Sequence, residues 1–293
     1  MNMPLALQSL PNIRRSARWI GTRAGRLANR AVDALVAEAL LTPKPALVDR
    51  RGPGAHGDLD LDRLLRSALS LREGFKEMAE CAAGRVPTAA LREELGRIGR
   101  NAEKAMLAAT GGSNAHRGAI WVLGLLIAAR ALRGSDAAPG AAATAEAAAK
   151  IARLPDRCAP VSNSNGSRVC ERYGVGGARG EARSGFPHVI DVGLPALRCA
   201  RLRGIAETHA QLDALMSIMT CLADTCLLHR GGRPALEAAQ AGARAVIAAG
   251  GTSTAAGWGA LLALDADLLK RWASPGGSAD LLAACLFLDG LIS

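Results

Sequence analysis

The chain has 293 residues, enough to bury a sizeable core in one large domain or two small ones. Hydrophobic residues make up 49% of it but aromatics only 3%, so alanine and leucine dominate, which favours helix and disfavours a β-sandwich or barrel. Charged residues at 21% beside that apolar content exclude wholesale disorder, and a net charge of +10 suits an anionic partner such as a polyphosphate.

The first 27 residues carry Arg14, Arg15, Arg18, Arg23 and Arg26 and no acid, and read as a flexible basic extension, similar to a transit peptide. Residues 28–293 are expected to form a single all-α domain. Its first helix, Ala28 to Leu41, ends at Thr42-Pro43-Lys44-Pro45, because proline cannot continue it. A loop from Ala46 to Gly57 carries Asp49, Arg50, Arg51 and His56. Asp58 is placed to cap a helix running to about Gly84, and Thr88 to cap one reaching Ala109. The loop Thr110 to Arg117 leads into a helix from Gly118 to Leu132, whose apolar run Ala119–Ala129 is shorter than the roughly 20 residues of a membrane span.

Ala137 to Ala149 reads as a surface loop with a turn or more of helix, and Pro155 to Ser167 as an irregular connection. Between Tyr173 and Glu181 the glycines are too dense for regular helix. Further helices are expected at Leu194–Arg203, Glu207–Leu228, Pro234–Ala249, Gly257–Trp272 and Ser278–Leu288. No period of about 20–50 residues repeats, which disfavours a solenoid. The seven cysteines form no C-x-x-C pair and no secretory signal is visible, so a reducing cytoplasm is the natural compartment. One Tyr and three Phe leave little for the stacking platforms of single-strand nucleic-acid binders.

Three glycine-rich loops adjoin helix starts, where free backbone N–H groups and the helix dipole make a seat for phosphate oxygens. They are Thr110–Arg117 with Gly111 and Gly112, Gly176–Glu181 with Arg179, and Ser274–Asp280 with Gly276, Gly277 and a capping Ser278. None matches a Walker A or dinucleotide fingerprint. Glu103 shares a helix face with Gly96 and Gly99, which indicates either close approach of another group or a helix crossing with Glu103 paired to Arg100. Asp224 lies in the apolar run Leu212–Leu228, so its carboxylate must be paired, hydrogen-bonded or bound to metal. His229 and Arg230 follow it, before Gly231-Gly232, where the helix is expected to end. The five histidines lack zinc spacing and no G-x-S-x-G elbow occurs. Asp49, Glu103, Glu181, Asp224 and Asp280, each beside a Gly- or Pro-rich loop, suit magnesium held with substrate phosphates.

Taken in order, Thr42-Pro-Lys-Pro-Ala-Leu-Val-Asp49, Ala102-Glu103-x-x-Met106, Thr110-Gly-Gly-x-Asn114-x-His116-Arg-Gly118, Gly177-Ala-Arg-Gly-Glu-Ala182, Gly185-Phe-Pro187, Asp224-Thr225 with His229-Arg-Gly-Gly232, and Ser274-Pro-Gly-Gly-Ser-Ala-Asp280-Leu-Leu-Ala283 resemble the triphosphoribosyl-dephospho-CoA synthases. These serve citrate lyase and malonate decarboxylase, and Asp224–Gly232 with Val161–Arg179 look closer to the malonate decarboxylase branch. Ala46 stands where the family usually has glycine, and Ala115-His116-Arg117 where it usually has Thr-His-Lys; Arg for Lys turns a point contact into a planar fork.

The resemblance implies transfer of the 5-triphosphoribosyl group of ATP to the 2′-hydroxyl of 3′-dephospho-CoA, with release of adenine. The product is then passed to a phosphoribosyl-dephospho-CoA transferase acting on an acyl carrier protein. No nucleic acid or membrane is implied, and oligomeric state stays open. The matched motifs imply that Lys44, Gly111, Gly112, Asn114, Arg117, Arg179, Arg230, Ser274, Gly276, Gly277 and Ser278 hold ATP and its phosphates, with Mg2+. Glu103 or Asp224 is the expected general base, with His116 or His229 near the leaving adenine or the phosphates. Two rival classes are a magnesium-dependent helical N-glycosidic hydrolase of ADP-ribose-like substrates and a non-catalytic basic module binding RNA or an acyl carrier protein.

Overall fold

Alanine-rich amphipathic segments broken by Gly, Pro and capping residues fold into a helical assembly. A computed structural model describes it over residues 21–132, 140–159 and 164–291. Its helices are α1 (Arg23–Leu40), α2 (Leu61–Ser70), α3 (Arg72–Ala82), α4 (Ala89–Thr110), α5 (Arg117–Leu132), α6 (Ala141–Arg153), α7 (Asn165–Tyr173) and α8 (Gly177–Arg183). A π-helical turn at His188–Gly193 runs into α9 (Leu194–Leu202), followed by α10 (Glu207–Met219), α11 (Thr225–Ala248), α12 (Ala255–Lys270) and α13 (Gly276–Asp289). Among the described residues there is no strand, only an isolated bridge between Asp49 and Gly52.

Two large apolar clusters organise the chain. The first gathers α1, α3, α4, α5 and α6 around Leu35, Phe75, Ile98, Leu123 and Phe287, and the second gathers α9–α12 around Leu197, Leu215, Val246 and Leu261. Helix α13 serves both: Leu281, Ala284, Cys285 and Phe287 face the first cluster, and Ala279 and Leu282 face the second. A helix apolar on nearly all sides is buried; α5 and α13 are such helices, and the start of α5 lies against Asp280 in the first turns of α13. Farther along α13, close packing leaves no room for a side chain at Gly193: a Cβ would stand 2.5 Å from Cys285 Sγ.

Several local expectations are corrected. Helix α1 begins at Arg23, inside the segment read as an extension, because Thr22 accepts a hydrogen bond from the Gly25 N–H and starts the helix there; residues 1–20 lie outside the described residues. The helix expected from Asp58 is two, capped by Asp60 and interrupted at Leu71. Alanine-rich α6 is a full helix: Ala145, Ala148 and Ala152 are small enough for its backbone to seat closely on α5, and part of the preceding segment lies outside the described residues. Ser164 starts α7 within the span read as irregular, and glycine density does not prevent α8. All seven cysteines are free, and Cys285 is the buried one.

The largest revision concerns Glu207–Leu228. It is not one helix: α10 stops at Met219, and Asp224 caps α11. Helix α11 then passes through Gly231-Gly232, kinked where Gly232 takes φ 65° and ψ −162°, rather than ending there. Both differences follow from capping, since Asp224 supplies the acceptor that a new N-terminus needs.

Candidate active site

Asp224 is fully buried and ties two helix starts together. Its Oδ1 accepts from the Cys226 N–H (2.8 Å) and the Gly277 N–H (3.3 Å), and its Oδ2 from the Ser278 N–H (2.8 Å) and Ser278 Oγ (2.9 Å). A carboxylate offers about four lone-pair sites, and all four are filled. Burial pushes the Asp224 carboxyl up, while these donors hold it down. Ser278 therefore donates to Asp224 instead of capping α13, whose N-cap is Pro275. The Gly277 and Ser278 amides expected to face phosphate are likewise occupied, and a Cβ at Gly277 would stand 3.0 Å from Asp224 Oδ1.

One turn on, Asp280 lies over the start of α5, where a Cβ at Gly118 would stand 2.0 Å from Asp280 Oδ2. Only glycine admits the carboxylate there. Burial raises the Asp280 carboxyl well above the usual range; the charges of Glu38 and Asp224 push it further, and only a bond from the Ala119 backbone opposes them. Three carboxylates thus meet at the junction of α1, α5, α11 and α13.

Lys44, which has no exposure, pairs with Glu38 here: its Nζ donates to Glu38 Oε1 (2.5 Å) and to the Glu38 carbonyl (2.7 Å). Lys44 is thus enclosed in an ion pair, not presented to a phosphate as the motif implies. Its backbone N–H donates to Asp49 Oδ2 (2.8 Å), and Arg51 clamps Asp49 to Asp265 of α12, fixing the 42–55 loop. His56 completes that loop's anchorage. Arg230 donates to its Nδ1 (3.0 Å), so the neutral ring's proton is on Nε2, which donates to Ser274 Oγ (2.9 Å). Burial, then Arg230, pushes His56 down to about 4. Arg230 also donates to the Ala55 carbonyl, so this expected phosphate residue holds the loop against α11.

Around the α5 start, Gly111 is the left-handed C-cap of α4, Gly112 also takes positive φ, and Asn114 Oδ1 accepts the Arg117 N–H. Glu103 pairs with Arg117 (Nε to Oε1, 2.6 Å), not with Arg100, which instead reaches Asp156. The group closest to Gly96 is also Asp156, whose Oδ2 would stand 2.1 Å from a Cβ. His116 is buried with Nδ1 on Ser67 Oγ (2.6 Å), and burial pushes it down to about 3. A ring that stays neutral there cannot serve as an imidazolium acid near neutral pH. His229 and Arg179 are exposed.

The five carboxylates expected at a metal are not brought together. Asp49 is held by Arg51, Glu103 by Arg117, Glu181 by His188 and Asp224 by its four donors, and among the described residues no group of three or more His, Cys, Asp or Glu stands in position to hold an ion. Glu181 accepts both from the His188 N–H (2.9 Å) and at Nδ1 (2.7 Å). That pairing raises the His188 pKa above 6.5 against the opposing effect of burial. The stability it contributes is complete below pH 6.5 and is lost as pH rises through the folded-state value. The melting temperature of the parent chain should therefore fall by on the order of a degree or two more than that of Glu181→Gln across that window. Parallel melting curves for the two proteins would discard the linkage.

Glu38, Asp265 and Ser67 escaped the sequence reading. Glu38 has a signal, since it shares a face with Leu35 and Ala31, three and seven residues before it, and both are buried. Asp265 shows the same pattern beside Leu261, Leu264 and Leu268.

Comparison with known proteins identifies the family. Residues 24–293 match the family described as ATP:dephospho-CoA triphosphoribosyl transferase. The chain is similar to a probable 2-(5′′-triphosphoribosyl)-3′-dephosphocoenzyme-A synthase of Pseudomonas fluorescens, 57% identical over 92% of each chain. It is also similar to those of Pseudomonas aeruginosa, 57% identical over 90% of each, and Stutzerimonas stutzeri, 55% identical over 94% of each. No solved structure matches. Among the described residues no helix is long and apolar enough to cross a membrane. With the match running from the first turn of α1 to the last residue, the chain belongs to the ATP:dephospho-CoA triphosphoribosyl transferase family and is a transferase enzyme.

Proposed function

We propose that this enzyme transfers the 5-triphosphoribosyl group of ATP to the 2′-hydroxyl of 3′-dephospho-CoA and releases adenine. The product is the prosthetic-group precursor for the acyl carrier protein of malonate decarboxylase, delivered by a downstream transferase; the segment Asp224–Gly232 supports that branch over citrate lyase. The observation that carries the reading is the carboxylate cluster at the α5 start, with Asp280 seated on Gly118 and Glu103 held by Arg117 at the neighbouring residue.

Cleavage of the bond to adenine builds oxocarbenium character at the ribose, which nearby carboxylates stabilise. The triphosphate leaves with the product intact, so the site has to position phosphates rather than relieve charge at phosphorus. Glu103, half-buried and oriented by Arg117, is the base that takes the 2′-hydroxyl proton as that oxygen bonds the anomeric carbon and the bond to adenine breaks; adenine takes up a proton from solvent as it leaves, which balances the proton that Glu103 gives back. Asp224 acts through position: it fixes the first turns of α11 and α13 and thereby sets Asp280.

Magnesium fits this site on the chemistry of the donors. It binds through one or two carboxylates plus substrate phosphates, and Asp280 is the junction carboxylate whose oxygens are least occupied, with two further negative charges nearby. When bound, the ion neutralises triphosphate charge and fixes its orientation. Adenine release from ATP and magnesium, assayed with and without 3′-dephospho-CoA and followed by mass spectrometry, tests the reading. We expect acceptor-dependent adenine and a product heavier by one triphosphoribosyl unit. Acceptor-independent release would establish a hydrolase instead.

A further inference from the structure

Four arginines and one tryptophan share the surface between α4, α5 and α8; the matched motif implies that one of them, Arg179, holds the phosphates of ATP, and the reaction as described so far uses none of the others. Arg92 is buried, with its guanidinium carbon 4.8 Å from the Trp121 ring centroid. Trp121 donates its indole N–H to the Ala178 carbonyl (3.0 Å), which ties α5 to the first turn of α8. Arg92 (3.5 Å) and Arg100 (3.0 Å) converge on the same oxygen of Asp156, the one carboxylate in the group. Arg179 and Arg183 approach from α8 near enough for their charges to bear on Arg92.

The positive charge exceeds what the fold itself neutralises. Four guanidinium groups face one carboxylate, Arg92 Nε is buried with no hydrogen-bond acceptor, and Arg179 is exposed with no protein partner among the described residues. A buried donor without an acceptor is costly, and four like charges crowd beside one carboxylate, with Arg183 also donating to the Ala152 carbonyl. An anion with several oxygens would satisfy both. Arginine is the residue suited to phosphate oxygens, since its planar fork donates two parallel hydrogen bonds.

The place of this cluster selects among phosphates. Trp121 lies one turn along α5 from Gly118, on which Asp280 sits, and a Cβ at Gly177 in α8 would stand 3.3 Å from Thr225 at the start of α11. The cluster therefore borders the carboxylate junction without containing carboxylates free to share a metal ion. With magnesium and the triphosphate placed at Asp280 as proposed above, the arginine cluster is left for an anion bound without metal, such as a diphosphate.

We infer that the Arg92, Arg100 and Arg179 face beside Trp121 binds the diphosphate bridge of the acceptor, 3′-dephospho-CoA, which places the acceptor ribose toward the α5 start. This rests on the reaction proposed above. Arg179→Ala tests it, since the side chain is exposed and partnerless and its removal leaves the fold intact. Calorimetric titration of the ATP-free enzyme with 3′-dephospho-CoA should show a loss of affinity of roughly tenfold or more, the scale of one charge-assisted hydrogen bond.

The KM for 3′-dephospho-CoA should rise by a similar factor and that for ATP should not. Arg92→Lys, which keeps the charge and loses the fork, should show the same selectivity with an unchanged melting temperature. A rise confined to the KM for ATP, or no change in either constant, would overturn the assignment. If the parent enzyme binds 3′-dephospho-CoA but releases no adenine, the proposed reaction fails while the binding site stands.

Discussion

Asp280→Asn should lower turnover by roughly 10²- to 10⁴-fold, the range spanned by loss of a positioned acid–base or charge-stabilising group, while the protein melts at or above the parent temperature. The two halves of that expectation have one cause. The carboxyl is desolvated and stands near Glu38 and Asp224, and both effects push it well above the usual range and disfavour its charged form. Asparagine keeps the shape over Gly118 and removes the repulsion, which stabilises the chain. On the proposed role of Asp280 as magnesium ligand, the magnesium concentration for half-maximal rate should also rise. Wild-type turnover in a folded variant would take Asp280 out of the reaction.

Lys44→Met should destabilise the protein by about 3–5 kcal/mol, the cost of stranding a buried partner charge. For a chain of this size that corresponds to a fall in melting temperature of roughly 10 °C. The charge left behind is Glu38, buried on α1, whose Oε1 has the Lys44 ammonium as its close partner. Replacing both residues, as Lys44→Met with Glu38→Leu, should recover most of the loss, because well-packed apolar side chains often match a buried ion pair in stability. The double variant separates two roles. If Lys44→Met instead keeps its stability and loses only ATP affinity, the lysine grips phosphate as the Thr42–Asp49 motif implies.

Helix content was legible in the sequence because it depends on short-range chemistry. Alanine and leucine favour helix one residue at a time, and Thr88 as cap or Pro43 as terminator acts on the turn beside it. The misread elements are those where one local signal competes with another. Glycine density around Gly177 argued against a helix that packing of α8 on α6 enforces, and the apolar run from Leu212 to Leu228 concealed the cap at Asp224.

The candidate site divides the same way. Sequence alone pointed to an all-α transferase family and to the glycine-rich loops at helix starts, since ordered motifs survive in one dimension. It also marked Asp224 as a carboxylate that needs partners. Tertiary structure decided what those partners are. Asp224 meets Gly277 and Ser278 across 53 and 54 residues, Asp265 reaches Arg51 across 214, and Asp280 finds its seat on Gly118. A carboxylate's role follows from how many donors fill its lone pairs and which charges stand beside it, and those neighbours are fixed only when α5, α11 and α13 pack with their N-termini together.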